Sequence, residues 1–349
     1  MKIHNLPALM LCLCLVMTAC SRQNIPSATD SPMDENPASS ATFVQMDNEI
    51  FKVGDLSVTF GEFLFHYNTY IQEFIYSGQA EAAGIDPDIA PGLQQFENSE
   101  MTWEDEIKEK TRDNLQRTLA MYQEAVSVGY EMGDQEKASV QQFLDGITQL
   151  SVEEGVSEDT VVSQIYGEGI TMEMAAEYEK RYWLGLSYEY DYFDNTTYTD
   201  AELTALYEEI EATVNLPDCT AVTIRNIFIA NTQTARDVFE KFEQGDKTED
   251  SFAKLAETYS EDSSTNASGG LYADLTPVTE SDDFDDFDNW LYDSERQPGD
   301  YTLIRSDSGS ELLYFVSKGD PLWKILSINL LHEEFASQIM DKYPITYPN

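Results

Sequence analysis

Basic residues are scarce in this chain of 349 residues. Lysine and arginine together number 20, against 65 aspartates and glutamates, which gives a formal net charge of −45. Nucleic-acid binding depends on basic side chains that neutralise phosphates, so this balance argues against a nucleic-acid partner. A basic patch for anionic lipid headgroups is equally disfavoured. A strongly hydrated acidic surface is instead typical of a protein that works among many others without adhering to them.

Cysteines are also few, and three of the four lie within the first twenty residues, MKIHNLPALMLCLCLVMTAC. Lys2 supplies a positive start, and residues 6–17 are nearly all apolar. This apolar run is too short for an ordinary transmembrane helix and predicts a secretory signal peptide. The two small residues before Cys20 resemble the lipobox of bacterial lipoproteins, in which the cysteine is acylated and begins the mature chain. An ordinary signal peptide with a chance cysteine is the alternative.

Cys219 is the one cysteine beyond Cys20, so the sequence predicts no internal disulfide between ordinary thiols. Cys219 could act as a nucleophile, but no histidine lies near it in the sequence. We therefore interpret it as a structural thiol in or beside a core. Histidine is nearly absent as well, since His66 and His332 are the two beyond the predicted signal peptide.

The chain after Cys20 changes its composition along its length. Residues 21–47 are rich in Ser, Pro, Asn and Asp, and they predict a disordered tether. Gly54-Asp55 then predicts a turn between two short strands, and residues 61–77 predict a helix. Apolar residues at helical spacing predict further helices beyond it. The predicted N-cap residues of these helices are Thr102, Ser157, Thr171 and Thr199.

From about residue 219 strands alternate with helices. The stretch AVTIRNIFIA, residues 221–230, predicts a strand that places Val222, Ile224 and Phe228 on one face. Asn226 falls on that same face, where an unpaired buried amide costs about 1–3 kcal/mol. An asparagine at this position therefore needs a structural or functional explanation. The elements predicted after it are helices near 232–244 and 249–259 and strands near 300–305 and 311–317.

The last segment of the chain predicts an amphipathic helix. Leu322, Phe335 and Ile339 belong to its broad apolar face. A lone terminal helix must bury such a face against another element, because it would otherwise expose it to solvent. We expect this helix to pack on the helices of the N-terminal domain.

The segment SFAKLAETYSEDSSTNASGGLY, residues 251–272, resembles the signature region of the parvulin-type, PpiC-like peptidyl-prolyl isomerases. That family has a run F-x-x-L-A-x-x-Y-S-x-D, followed by a short polar loop and Gly-Gly-x-Leu. The matching residues are Phe252, Leu255, Ala256, Tyr259, Ser260, Asp262, Gly269 and Gly270. The earlier stretch FKVGDLSVTFGEFLFHY resembles the start of the PrsA and SurA foldase families, which place helices before and after a parvulin domain.

The resemblance implies an α+β fold. A helical N-terminal chaperone domain is completed by the C-terminal helix, and a parvulin-like α/β domain around a small, mostly antiparallel sheet is inserted between them. The predicted divisions are a signal peptide at 1–19, a tether at 20–47, the helical domain at 48–218, the parvulin-like domain at 219–320 and the C-terminal helix at 321–349.

The resemblance also implies a site, and this chain departs from the family there. Parvulins carry one histidine on the opening strand and one on the closing strand, and the aligned residues here are Asn226 and Glu311. Asp262, at the central acid or thiol position, and Ser308, at the hydroxyl position, match the family. We expect Glu311 to be ionised and the isomerase activity to be weak or lost. Asn226 either faces a bound peptide or bonds to Asp262, Ser308 or backbone, and these two interpretations do not exclude each other.

Further residues are predicted to bind substrate by the same resemblance. Phe284 or Phe287 is expected to form the aromatic wall of the proline pocket. Leu271 and Phe228 are the other two predicted substrate-binding residues. The acidic segment 280–288 is either a solvated face or a selector of basic client chains. Calcium binding is a third interpretation of that segment, but no EF-hand spacing is present, and no metal is expected.

The resemblance implies an extracytoplasmic foldase and chaperone that is anchored to the membrane through lipid at Cys20. Its expected partners are unfolded exported proteins and proline-containing peptides. Prolyl isomerisation requires no cofactor, so none is expected. The alternative is a non-catalytic lipoprotein that binds a solute or peptide, which would favour two α/β lobes around a cleft over a long helical domain.

Overall fold

The computed structural model describes residues 45–348, apart from residues 77–79, 81–82, 87–88, 97–98, 215–217, 278–285 and 307. The predicted signal peptide, Cys20, most of the predicted tether and Phe284 therefore lie outside the described residues. The chain folds as two units. The first runs to Thr196 and resumes at Glu333, and the second runs from Thr197 to His332. The predicted boundaries after residues 218 and 320 fall inside the second unit and stay predictions.

The first unit contains a small antiparallel sheet. Strands β1, Glu49–Val53, and β2, Leu56–Thr59, form the predicted hairpin. Gly54 at the turn has a φ of 55°, a left-handed conformation that glycine adopts without steric cost. Strand β7, Ile345–Thr346, pairs with the other edge of β1, so the strand order is β2-β1-β7. No sequence pattern predicted β7, because two residues carry no periodicity.

Helices form most of the first unit, and their starts follow local capping rules. Thr102 and Asp105 form a reciprocal capping box at the start of the helix that begins at Trp103. Ser157 and Thr171 cap the helices that begin at Glu158 and Met172 by accepting hydrogen bonds from backbone N–H groups three residues on. These predicted N-caps are confirmed. The helices are α1, Phe60–Tyr76; α2, Trp103–Val128; α3, Asp134–Glu154; α4, Glu158–Tyr166; and α5, Met172–Asn195.

The C-terminal helix α10, Leu322–Lys342, contributes to both units. From Glu333 onward it belongs to the first, where Ala336 and Ile339 pack in an apolar cluster with β1 and α2. Arg117 on α2 forms an ion pair with Glu333 at 2.8 Å. The apolar face of the second half of α10 is thus buried on the helical unit.

The second unit is built around a four-stranded antiparallel sheet with the strand order β4-β3-β6-β5. Its strands are β3, Thr220–Ile229; β4, Leu271–Leu275; β5, Tyr301–Arg305; and β6, Ser310–Pro321. Its helices are α6, Asp200–Ile210; α7, Thr232–Glu243; α8, Glu249–Tyr259; and α9, Asp286–Leu291. The predictions of β3, β5, β6, α7 and α8 are confirmed, whereas β4 was not predicted as a strand.

Alternation along β3 gives this sheet two different faces. On one face, Ile227 packs in an apolar cluster with α7 and α8. On the other face, Ile224 packs with Leu313 and Phe315 of β6 and with Leu291 of α9. We call this second face, which carries Ile224, the pocket face. The period of two in β3 therefore separates a helix-covered core from a face with a different covering.

Helix α6 and the first half of α10 complete the second unit. The rings of Tyr207 and Trp323 lie 6.0 Å apart, and Lys324 forms an ion pair with Asp200 at 3.6 Å. Cys219, just before β3, is a partly buried free thiol whose pKa is raised, first by burial. A raised pKa disfavours the nucleophilic thiolate, in agreement with a structural thiol.

Helical and antiparallel elements together confirm the predicted α+β class. Within the described ranges, no helix has both the length and the apolar character that a membrane span requires.

Candidate functional site

Asn226 lies on the pocket face of β3, beside the closing strand β6. Its side chain is 8% exposed, so it is a buried polar group. The strand register pairs Asn226 with Leu313, and Phe228 with Glu311. Opposed residues of an antiparallel pair share a face, and so do residues two apart along one strand. Asn226 and Glu311 are therefore diagonal neighbours on the pocket face.

Asn226 and Glu311 interact through their side chains. Burial raises the pKa of Glu311, a hydrogen bond from Asn226 lowers it, and the negative charge of Asp262 raises it. The pKa of Glu311 lies above its ordinary value as a result. Burial and a neighbouring like charge both disfavour the charged form, so this carboxyl group holds a proton more readily than an ordinary glutamate does.

Asp262 lies in the loop after α8, where hydrogen bonds fix its carboxylate. The backbone N–H and the hydroxyl of Ser264 donate to Oδ1 at 3.0 and 2.6 Å. The hydroxyl of Tyr272 donates to Oδ2 at 2.8 Å, and that of Thr265 donates to the same oxygen. Burial alone would raise the pKa of Asp262, but these hydrogen bonds hold it below its ordinary value. Asp262 therefore keeps its negative charge at neutral pH, close enough to act on Glu311.

The loop between α8 and β4 is tied to β3 by main-chain contacts. The N–H of Asn226 donates to the carbonyl oxygen of Gly270 at 2.7 Å. Arg225 donates to the carbonyl oxygens of Ser268 and Gly269 at 3.0 and 2.9 Å. Arg225 also forms an ion pair with Glu249 at the start of α8. These contacts hold the Asp262 loop against the strand that carries Asn226.

An apolar wall adjoins the polar pair on the pocket face. Ile224, Leu313 and Phe315 are each 0% exposed. Phe287 and Trp290 of the short helix α9 pack against this cluster and are themselves only partly buried. The predicted wall residue Phe287 thus lies with the apolar cluster of the pocket face.

Other predicted residues have different surroundings. Phe228 lies opposite Glu311 and is partly exposed, at the edge of the pocket face. The hydroxyl of Ser308 lies 3.0 Å from that of Ser306, in the turn between β5 and β6. No hydrogen bond within the described part of the chain joins Ser308 to Asn226 or Asp262. Phe284 lies outside the described residues.

Leu271, which the sequence analysis placed among the substrate-binding residues, lies on the opposite face of the sheet from its neighbour Tyr272. The register pairs Leu271 with Arg225, whose side chain reaches α8 on the helix-covered face. Tyr272 pairs with Ile224 and so shares the pocket face. Tyr272 was not singled out from the sequence, although its position directly after Gly-Gly-Leu was visible. Only recognition of β4 as a strand, with its period of two, would have distinguished it from Leu271.

Among the side chains that the structure describes, no group of three or more His, Cys, Asp or Glu residues is placed to hold a metal ion. The arrangement instead offers an apolar wall, an amide, a carboxyl of raised pKa and a fixed carboxylate. Such groups can form hydrogen bonds and apolar contacts with a ligand without any covalent step.

A family model identifies the class of this domain. Residues 230–317 match the model of the PPIC-type peptidyl-prolyl isomerase domain, or rotamase. The match confirms the parvulin resemblance from α7 through most of β6, and it begins just after β3, so Asn226 precedes it. No curated protein matches the chain.

Solved structures of foldases and chaperones are among those similar to the chain. PrsA from Bacillus subtilis is 16% identical, with 87% of this chain and 96% of that chain covered and a TM-score of 0.34. The foldase protein PrsA from Streptococcus pneumoniae is 20% identical, with coverages of 67% and 82% and a TM-score of 0.31. One of two SurA-like chaperones of Campylobacter jejuni is 17% identical, with coverages of 64% and 88% and a TM-score of 0.27. Because these TM-scores are low, the class of residues 230–317 depends on the family model.

Proposed function

We propose that this protein is a foldase that binds unfolded, proline-containing segments of other polypeptides on the pocket face. The family-model match of residues 230–317 supports the class of the domain. The observation that carries the proposal is the position of Asn226 and Glu311, whose Oδ1 and Oε2 atoms are buried without a described partner beside the apolar wall. An apolar surface suits a proline ring, and the adjoining polar groups suit the amides on either side of it.

Prolyl isomerisation requires the amide to twist out of plane, against an uncatalysed barrier of about 18–20 kcal/mol. A protein accelerates the reaction only as far as it binds the twisted amide more tightly than the planar one. The amide of Asn226 can both donate and accept hydrogen bonds. It cannot gain or lose a proton as an imidazole does, so we propose an activity below that of histidine-bearing parvulins.

This proposal predicts weak turnover together with binding of unfolded clients. We expect catalysed isomerisation at least about tenfold slower than with a histidine-bearing parvulin, which corresponds to about 1.4 kcal/mol of transition-state stabilisation. Exchange NMR of a proline peptide measures the isomerisation rate, and suppression of client aggregation measures the binding of unfolded clients. Both experiments use the chain purified from residue 21 onward. Glu257→Gln, on the exposed side of α8, is a charge-matched control for substitutions in the site.

Two outcomes would contradict the proposal. Turnover equal to that of a histidine-bearing parvulin, abolished by Asp262→Ala, would contradict the reduced activity. A failure to bind any unfolded client would contradict the foldase function and favour a receptor for a solute.

We further propose that the protein works on the outer side of the cytoplasmic membrane, held by acyl chains on Cys20. Burial of each acyl CH₂ in the bilayer contributes about 0.8 kcal/mol to such anchoring. Cys20→Ala should therefore release the protein from the membrane fraction or leave it unprocessed, whereas Cys219→Ala should not. Membrane fractionation and mass spectrometry of the N-terminus measure both variants. Wild-type fractionation of Cys20→Ala would exclude the lipid anchor.

A further inference from the structure

Two interacting side chains on the pocket face each have one atom without a hydrogen-bond partner in the described part of the chain. Asn226 is 8% exposed, and its Oδ1 atom is buried with no hydrogen-bond partner among the described residues. The Oε2 atom of Glu311 is likewise buried and has no hydrogen-bond partner among the described residues. An ionised carboxylate accepts hydrogen bonds only, and so does an amide oxygen, so the two atoms cannot satisfy each other. A single proton on Glu311 Oε2 removes this conflict, because the resulting O–H can donate to Asn226 Oδ1.

The geometry points to a neutral acid–amide pair in which Glu311 holds a proton and thereby orients the amide of Asn226. One N–H of Asn226 donates to the carboxyl group of Glu311, and the carboxyl O–H donates back to Oδ1. The second amide N–H is then free to donate to a carbonyl oxygen of a bound peptide. Glu311 is a positioning residue in this arrangement, because it acts on the peptide through Asn226. The inference rests on the proposed function and adds control by protonation to the same site.

The surroundings of Glu311 favour the protonated form. The fixed carboxylate of Asp262 acts on Glu311 from the loop after α8, and burial adds to its effect. Tyr272 on β4 directs its hydroxyl to Asp262. Within the described ranges, neither carboxyl group is paired with lysine or arginine, in contrast to the buried Glu62, which pairs with Arg181 at 3.3 Å. A carboxyl group that is removed from water and lacks a cation holds a proton more readily than an exposed one does.

Loss of the proton should change the orientation of Asn226. The ionised Oε2 atom would face Oδ1 in this arrangement, and two acceptors that face each other repel. Rotation of the amide relieves this repulsion by directing N–H groups toward the carboxylate, and the donor for the peptide is lost. Peptide affinity should therefore fall as the pH rises through the pKa of Glu311.

Glu311→Gln keeps the shape of the side chain but removes the group that gains and loses a proton. The glutamine amide can donate to Asn226 Oδ1 and accept from its N–H at every pH, so it keeps the arrangement of the protonated acid. Fluorescence anisotropy with a labelled proline peptide should show wild-type affinity falling about tenfold from acid to alkaline pH. The affinity of Glu311→Gln should stay constant over the same range. Glu257→Gln should retain the wild-type fall, and Asp262→Asn should move the fall to lower pH because a like charge is removed.

Carbon-13 NMR of glutamate carboxyl groups provides a readout that does not depend on peptide binding. We expect one resonance that titrates above the ordinary glutamate range, is absent from Glu311→Gln and moves to lower pH in Asp262→Asn. Ordinary titration of that resonance would overturn the acid–amide pair. A Glu311 resonance that titrates above the ordinary range, together with a peptide affinity that does not change with pH, would overturn the positioning role. The same titration without any peptide binding would support the acid–amide pair and contradict the proposed function instead.

Discussion

Gly270→Ala is expected to lower the free energy of unfolding of the second unit by about 3–5 kcal/mol. Gly270 has a φ of 71°, and a Cβ atom there would lie 2.1 Å from the carbonyl oxygen of Asn226. That oxygen belongs to the backbone of β3, whose Asn226 N–H is already bonded to Gly270 at 2.7 Å. The strands would have to separate to admit the methyl group. We expect peptide binding to disappear together with stability, because the same shift displaces the Asn226 side chain.

Gly129→Ala is the matched control for this prediction. Gly129 ends α2 with a φ of 73°, and among the described residues no atom beyond its chain neighbours and its own helix lies within 4 Å of the position that its Cβ atom would occupy. The two substitutions therefore impose similar backbone strain, and only the first adds a steric clash. We expect Gly129→Ala to cost about 1 kcal/mol. Hydrogen exchange of β3 and α2 amides in urea measures each unit separately, and equal losses would show that the clash does not matter.

Glu179→Gln is expected to stabilise the first unit at alkaline pH. Burial raises the pKa of Glu179 from about 4.5 to about 7, although a hydrogen bond from Trp183 lowers it in part. That bond, from Trp183 Nε1 to Glu179 Oε2, measures 3.0 Å. The negative charge of Glu179 also raises the pKa of Tyr166 and Tyr182, so it lies among aromatic rings. A glutamine can keep the tryptophan bond without placing a charge there.

The sign of the pH dependence follows from proton binding. Between about pH 4.5 and 7 the folded chain keeps the proton of Glu179 and the unfolded chain loses it, so wild-type stability falls as the pH rises. Glu179→Gln should lack this part of the fall. After a discount for the partial exposure of Glu179, we expect a gain of about 2 kcal/mol above pH 7 and none below pH 4.5.

Urea unfolding across this pH range measures the gain of Glu179→Gln. His66, whose pKa is lowered to about 4 by burial, adds a slope of opposite sign, but it is common to both proteins and cancels in the difference. Glu168→Gln, at an exposed position, should leave the pH profile unchanged. A difference between wild type and Glu179→Gln that is independent of pH would exclude the titration as its cause.

Local patterns in the sequence determined much of the fold. The capping boxes at Thr102 and Thr199 were predictable because each depends on a partner three residues away, Asp105 and Glu202. Strand β3 was predictable from its period of two, which placed Asn226 on the same face as Ile224. The PPIC-type domain was recognisable because its signature lies in one continuous run around Asp262. Each of these signals is contained within a few neighbouring residues.

Tertiary structure alone decided the chemistry of the site. Strand β4 pairs with a strand more than forty residues earlier, and this pairing brings Tyr272, rather than Leu271, to the pocket face. The register of β3 and β6 makes Asn226 and Glu311 diagonal neighbours across about 85 residues of chain. The sequence by itself gives no reason to expect Glu311 to differ from an ordinary, ionised glutamate. The raised pKa of Glu311 depends on burial and on the negative charge of Asp262, and both act on it only once the sheet and the loop have come together.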